Sequence, residues 1–166
     1  MSSYNELSKK LGHDDSSGFN FAKEMLGNNP TAAINFDRFL FHKGKPIIME
    51  YLLCDENQPR VTPYTSHPKW YWRKNSRKFL SLWRAALCMG ATLYLINYAK
   101  KGTAHDDEVL VIEVLDMNEK GITKEVKTKY NRADFQEWFI KINNESLEGD
   151  SDIYKEIIKL MNDKKI

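Results

Sequence analysis

The chain has little of what would mark several common chemistries. It contains two cysteines, Cys54 and Cys88, each inside an apolar segment and without C-x-x-C spacing. That excludes a disulfide framework and a cysteine-built zinc site, and it predicts two buried free thiols in a reducing compartment. Glycine-rich phosphate loops are absent too, because Gly44, Gly90, Gly102 and Gly121 stand isolated and fit neither a Walker loop nor a dinucleotide fingerprint. No Ser-His-Asp constellation stands out. Charge of one sign is lacking, since 25 basic and 23 acidic residues leave a net charge of +2. Whole-molecule electrostatics therefore select no partner, and any polyanion signal must come from local clustering. The longest apolar stretch, Phe79–Ala99, is interrupted by Arg84 and Asn97 and broken at Gly90. Its two halves differ in period, which predicts a helix followed by a strand and no membrane span. The opening MSSYNELSKKLGHDD lacks the apolar core of a secretory signal, so a cytoplasmic chain is expected.

What is present is the composition of a globular domain, 42% hydrophobic and 29% charged. Periodicity predicts helices at 3–11, 18–27, 75–89, 132–143 and 152–163, and strands at 33–41, 46–54, 91–99, 108–117 and 122–130. Asn75-Ser76 is the expected N-cap of the central helix, with Phe79, Leu82, Trp83, Ala86 and Leu87 as its apolar face. The expected class is α+β, an α/β/α sandwich with a mixed sheet of about five strands and flanking helices. Residues 1–146 are expected as one domain, and 147–166 as a linker with an appended helix.

The strand KPIIMEYLLC carries one carboxylate, Glu50, among Ile47, Ile48, Met49, Leu52 and Leu53. Burying an unpaired charge there is costly. A two-residue turn through Lys43 and Gly44 makes facing positions sum to 87, which sets Asp37 opposite Glu50. Facing Cβ atoms lie about 4.5–5.5 Å apart, so two like charges there need a cation between them. A divalent metal held by oxygen ligands meets that need. The ordinary alternative pairs Asp37 with Arg38 or a lysine, and leaves Glu50 to a helix N–H or to water at an edge.

An Asp on one strand, a tight hairpin, a Glu on the next strand, then a helix and the strand ATLYLINYA resembles the PD-(D/E)xK nuclease superfamily. The spacing is most similar to archaeal Holliday-junction resolvases, over roughly residues 18–100. The resemblance implies a restriction-endonuclease-like fold that hydrolyses phosphodiesters in nucleic acid, DNA above all. It also implies Mg²⁺ or Mn²⁺ held by Asp37 and Glu50. The superfamily lysine two residues after the Glu is replaced by Leu52. Some members supply that lysine from the following helix, which here offers Lys78 first and Lys74 second. The catalytic set implied by the resemblance is Asp37, Glu50 and Lys78.

The loop before that helix, QPRVTPYTSHPKWYWRKNSRKF, interleaves Lys69, Arg73, Lys74, Arg77 and Lys78 with Trp70, Tyr71 and Trp72. Cations hold phosphates, and aromatic rings stack on unpaired bases. Lys69, Trp70, Trp72, Arg73, Lys74 and Arg77 are therefore the candidate nucleic-acid contacts; the bland alternative packs the tryptophans on the sheet. His67 is a weaker candidate base without a visible partner. Glu24 and the triplets His13-Asp14-Asp15 and His105-Asp106-Asp107 are read as solvated rather than as ligands. The alternative function is a catalytically silent nuclease-like fold that binds nucleic acid or, through its tryptophans, a protein. A homodimer is compatible with either.

Overall fold

The structure is a computed structural model that describes residues 16–58, 60–149 and 153–164. The chain divides into two compact units, Met1–Asn35 and Phe36–Ile166. In the first, helix α1 (Ser17–Leu26) ends where Gly27, at φ 55°, donates its N–H to the Lys23 carbonyl. The helix expected at 3–11 and the triplet His13-Asp14-Asp15 lie outside the described residues.

The second unit is built on one five-stranded sheet whose spatial order follows the chain: β1 (Arg38–His42), β2 (Lys45–Leu53), β3 (Thr92–Tyr98), β4 (Glu108–Asn118) and β5 (Gly121–Asn131). Lys43 and Gly44 both adopt positive φ, 51° and 76°. That is the signature of a type I′ turn, whose twist matches the strands it joins. The turn fixes the register read from the sequence, with His42 facing Lys45, Leu40 facing Ile47 and Arg38 facing Met49. β2 and β3 run parallel, which no short turn permits, and helix α2 (Trp72–Met89) supplies the crossover. The remaining pairs are antiparallel. Helices α3 (Arg132–Gly149) and α4 (Ile153–Asp163) complete the chain.

Strand alternation sorts the side chains onto two faces. Ile47, Met49, Ile96, Val109 and Val111 pack with Ile142 of α3, and Trp138, Phe135 and Phe139 of the same helix lie against them. The opposite face carries Ile48, Leu93, Leu95 and Ile112, all fully buried, beneath Phe79, Leu82 and Ala86 of α2. Each such side chain stabilises the fold by roughly 1.5–3 kcal/mol. The result is the expected α+β class, a mixed sheet with flanking helices.

Several expected boundaries move. β1 is shorter than 33–41, because Asp37 leaves the ladder and its carboxylate, not a carbonyl, accepts the Tyr51 N–H at 2.8 Å. α2 starts at Trp72 rather than at Asn75; Asn75 instead donates its side-chain amide to the Tyr71 carbonyl from inside the first turn. α3 continues through Ser146–Gly149, where a linker was expected. Buried Ser146 Oγ donates to the Ile142 carbonyl, Glu145 meets His42 at 2.6 Å, and Asn143 accepts from Arg38 at 2.7 Å. Leu87 is 63% exposed, since Phe79, Leu82 and Ala86 already define the inward stripe. Cys54 is buried as expected, but Cys88 is exposed on the outer side of α2.

Candidate active site

Glu50 lies at the centre of β2 on the face covered by α2, level with Leu95 of β3. Its side chain is only 2% exposed. Lys78, on the second turn of α2, brings its Nζ directly onto Glu50 Oε1. The second oxygen, Oε2, is buried and makes no hydrogen bond to the chain. Asp37 stands just beyond the last ladder pair of the hairpin, held by the Tyr51 N–H. It is exposed, so the site is closed at Glu50 and open to solvent at Asp37. Burial raises the Glu50 carboxyl above its ordinary range. Lys78 opposes that rise, and the Asp37 carboxylate adds to it through its charge.

Glu50 thus pairs with the Lys78 ammonium through one oxygen and leaves the other orphaned, with the Asp37 carboxylate close enough to act on it through its charge. Hard oxygen donors of this kind fit a small divalent cation. Among the described residues no group of three or more His, Cys, Asp and Glu gathers as a metal site; Asp37 and Glu50 are the carboxylates that could hold a cation. Leu52 lies two residues on, on the same face of β2, half-buried and opposite Asn97. The ammonium beside Glu50 comes from Lys78 on the helix side, and Leu52 offers none.

The basic stretch precedes and enters α2. Arg73, Lys74 and Arg77 are exposed over its first two turns, and the first turn carries no acidic residue. Cations at a helix N-terminus oppose the macrodipole, so this end of α2 favours an anion. The two tryptophans part company. Trp72 is half-buried, stacks on Phe79 at 5.6 Å and donates its indole N–H to the Glu119 carbonyl. This is the packing that the sequence offered as the alternative to a nucleic-acid contact. Trp70 is 73% exposed, with Lys69 Nζ 4.6 Å from its ring centre.

Other candidates resolve into structural roles. His67 Nδ1 accepts the Lys69 N–H, and its Nε2 meets Glu125 at 2.8 Å. The sequence showed no partner for it, because Glu125 lies on β5. His105 pairs with Glu108, Asp106 accepts the Gly102 N–H, and Asp107 accepts the Arg132 N–H at the start of α3. Glu24 is exposed on α1. Asn97, fully buried on β3, donates to the Pro63 and Ser66 carbonyls and fastens the 54–71 loop to the sheet. Burial pushes the Tyr71 hydroxyl up to about 12, aided by Cys54, so it stays protonated beside Ser66.

No helix among the described residues is long and apolar enough to cross a membrane. No family model matches the chain, and neither a curated protein nor a solved structure matches it.

Proposed function

We propose that the protein is a metal-dependent nuclease of the PD-(D/E)xK type that hydrolyses phosphodiester bonds in nucleic acid, DNA being the expected substrate. The observation that carries this reading is the buried Glu50 paired with Lys78 and flanked by Asp37. Mg²⁺ or Mn²⁺ held by Asp37 and Glu50 would activate water and polarise the phosphate. Lys78 neutralises Glu50 and is poised to orient the attacking water in place of the strand lysine. Asp37 lies at the solvent-facing mouth, where an incoming phosphate meets the site. The exposed cations of α2 draw that polyanion towards acids that would otherwise repel it. The buried face beneath α2 keeps bulk water from Glu50.

The test is cleavage of duplex, single-stranded and branched DNA with Mg²⁺ or Mn²⁺. Activity that disappears in chelator and in Asp37→Ala and Glu50→Gln supports the reading. Full activity in either variant would sink it. A second reading, a silent nuclease-like fold that binds without cutting, is favoured by Leu52 and by there being, among the described residues, no cluster of three or more potential metal ligands. Tight salt-sensitive binding with no cleavage of any substrate would select it.

A further inference from the structure

We propose that the cleft beside this site receives a single unpaired nucleobase, stacked on Trp70. The inference rests on the nucleic-acid reading above and names what that surface would recognise. The cleft encloses about 580 Å³, within the range of small-ligand sites. It lies where the end of β2, at Leu53 and Cys54, meets Trp70 and Tyr71 at the entrance to α2. Glu50 precedes Leu53 by three strand residues, and Lys78 follows Tyr71 by seven residues. At about 3.3 Å per strand residue and 1.5 Å per helix residue, both catalytic candidates lie about 10 Å from the cleft walls. A stacked duplex rises 3.4 Å per step, so that distance is about three base steps.

The contrast between neighbouring tryptophans makes the cleft specific. Trp72 is folded onto Phe79, whereas Trp70 is held out. The holding is rigid: Pro68–Trp70 forms a 3₁₀ turn whose Pro68 is buried, and His67, anchored to Glu125, accepts the Lys69 N–H that begins it. An indole presented on a fixed turn forfeits little entropy when a base stacks on it. Lys69 lies over the ring, which leaves the other face of the indole for a base and puts an ammonium where the adjoining phosphate would pass. Arg60 adds a second cation, and the side chains of Gln58 and Asp55 at the cleft wall can pair with a base edge. An aromatic platform flanked by cations fits a nucleotide better than it fits an apolar peptide.

The experiment measures binding in chelator, to prevent cleavage, of three short fluorescent duplexes: fully paired, with one unpaired thymidine, and with an abasic nucleotide in its place. The protein should prefer the unpaired thymidine by about 5- to 140-fold, the span reported for stacking one base. Trp70→Ala should erase that preference, read as the ratio of unpaired to fully paired affinity within the same variant, and Trp70→Phe should retain part of it. Unchanged thermal melting of these variants would show that the loss is not unfolding. Equal affinity for all three duplexes, or a preference that Trp70→Ala keeps, overturns the inference and leaves the nuclease reading standing. Failure to bind any of the three sinks that reading and the inference with it.

Discussion

Lys78→Met strands a carboxylate in the core, because Glu50 is 2% exposed while the Lys78 side chain is 45% exposed. Breaking a fully buried ion pair from one side costs about 3–5 kcal/mol. Water reaches Lys78, which lowers the loss to about 1.5–3 kcal/mol, the range of a hydrogen bond to a charged group. For a chain of 166 residues the melting temperature should fall by about 3–12 °C at pH 8. The loss depends on pH with a definite sign. Burial raises the folded Glu50 carboxyl above its unfolded value of 4.5, Lys78 restrains the rise, and Asp37 adds to it. The folded chain therefore keeps a proton that the unfolded chain has released, so this contribution is full below the unfolded value and is lost as pH rises through the folded one. Without Lys78 the folded value moves further up and the losing window widens. The deficit of Lys78→Met should be small near pH 5 and complete at pH 8. Glu50→Gln, which keeps the shape and removes the charge, should flatten this limb. Thermal unfolding in chelator at the two pH values checks both variants. An equal deficit at pH 5 and pH 8, or a limb that survives Glu50→Gln, would refute the reasoning.

Four further outcomes follow from the same geometry. Trp72→Ala loses the Phe79 stack and the bond to the Glu119 carbonyl, and should cost about 1.5–3 kcal/mol in urea unfolding, below the full core value because the ring is half-buried. Trp70→Ala should stay within about 0.5 kcal/mol in the same assay. Asn97→Leu orphans the Pro63 and Ser66 carbonyls, and should cost about 1–3 kcal/mol while exposing the 54–71 loop to faster amide exchange. Arg73→Ala should reduce the slope of log binding constant against log salt by about 0.9 and leave any preference for an unpaired base untouched.

What could be read in the sequence follows how local each determinant is. The Lys43-Gly44 turn dictates the hairpin register, and that register puts Asp37 and Glu50 on one face. Both facts need only parity and a turn type. The break at Gly90 separates α2 from β3 in the same way, since a residue in the left-handed region closes the helix. Determinants that join distant segments were not legible. His67 finds Glu125 across 58 positions, and Trp72 finds Glu119 across 47. A linker-like run such as SLEG remains helical because Asn143, Glu145 and Ser146 each find a partner, two of them on β1. The helix start failed for a related reason. Asn75 and Ser76 look like caps, yet Trp72 docks on Phe79 two turns ahead and draws the helix back to itself.

Why Lys78 rather than Lys74 meets Glu50 can be worked from the crossover. α2 returns the chain from the end of β2 to the start of the parallel β3, so it runs opposite to β2. Lys78 is level with Glu50. Moving four residues towards the N-terminus of α2 advances about 6 Å, which is about two residues further along β2. Lys74 is then level with Leu52, past the carboxylate and towards the loop. Phe79 fixes the phase by pinning the neighbouring position into the core at 1% exposure. Lys78 is thereby left on the flank of the inward stripe, close enough to reach down to the sheet while its side chain stays 45% exposed. Having leucine at 52 does not by itself remove an ammonium from Glu50. Lys78 supplies one from α2, where it flanks the inward stripe and stands level with Glu50.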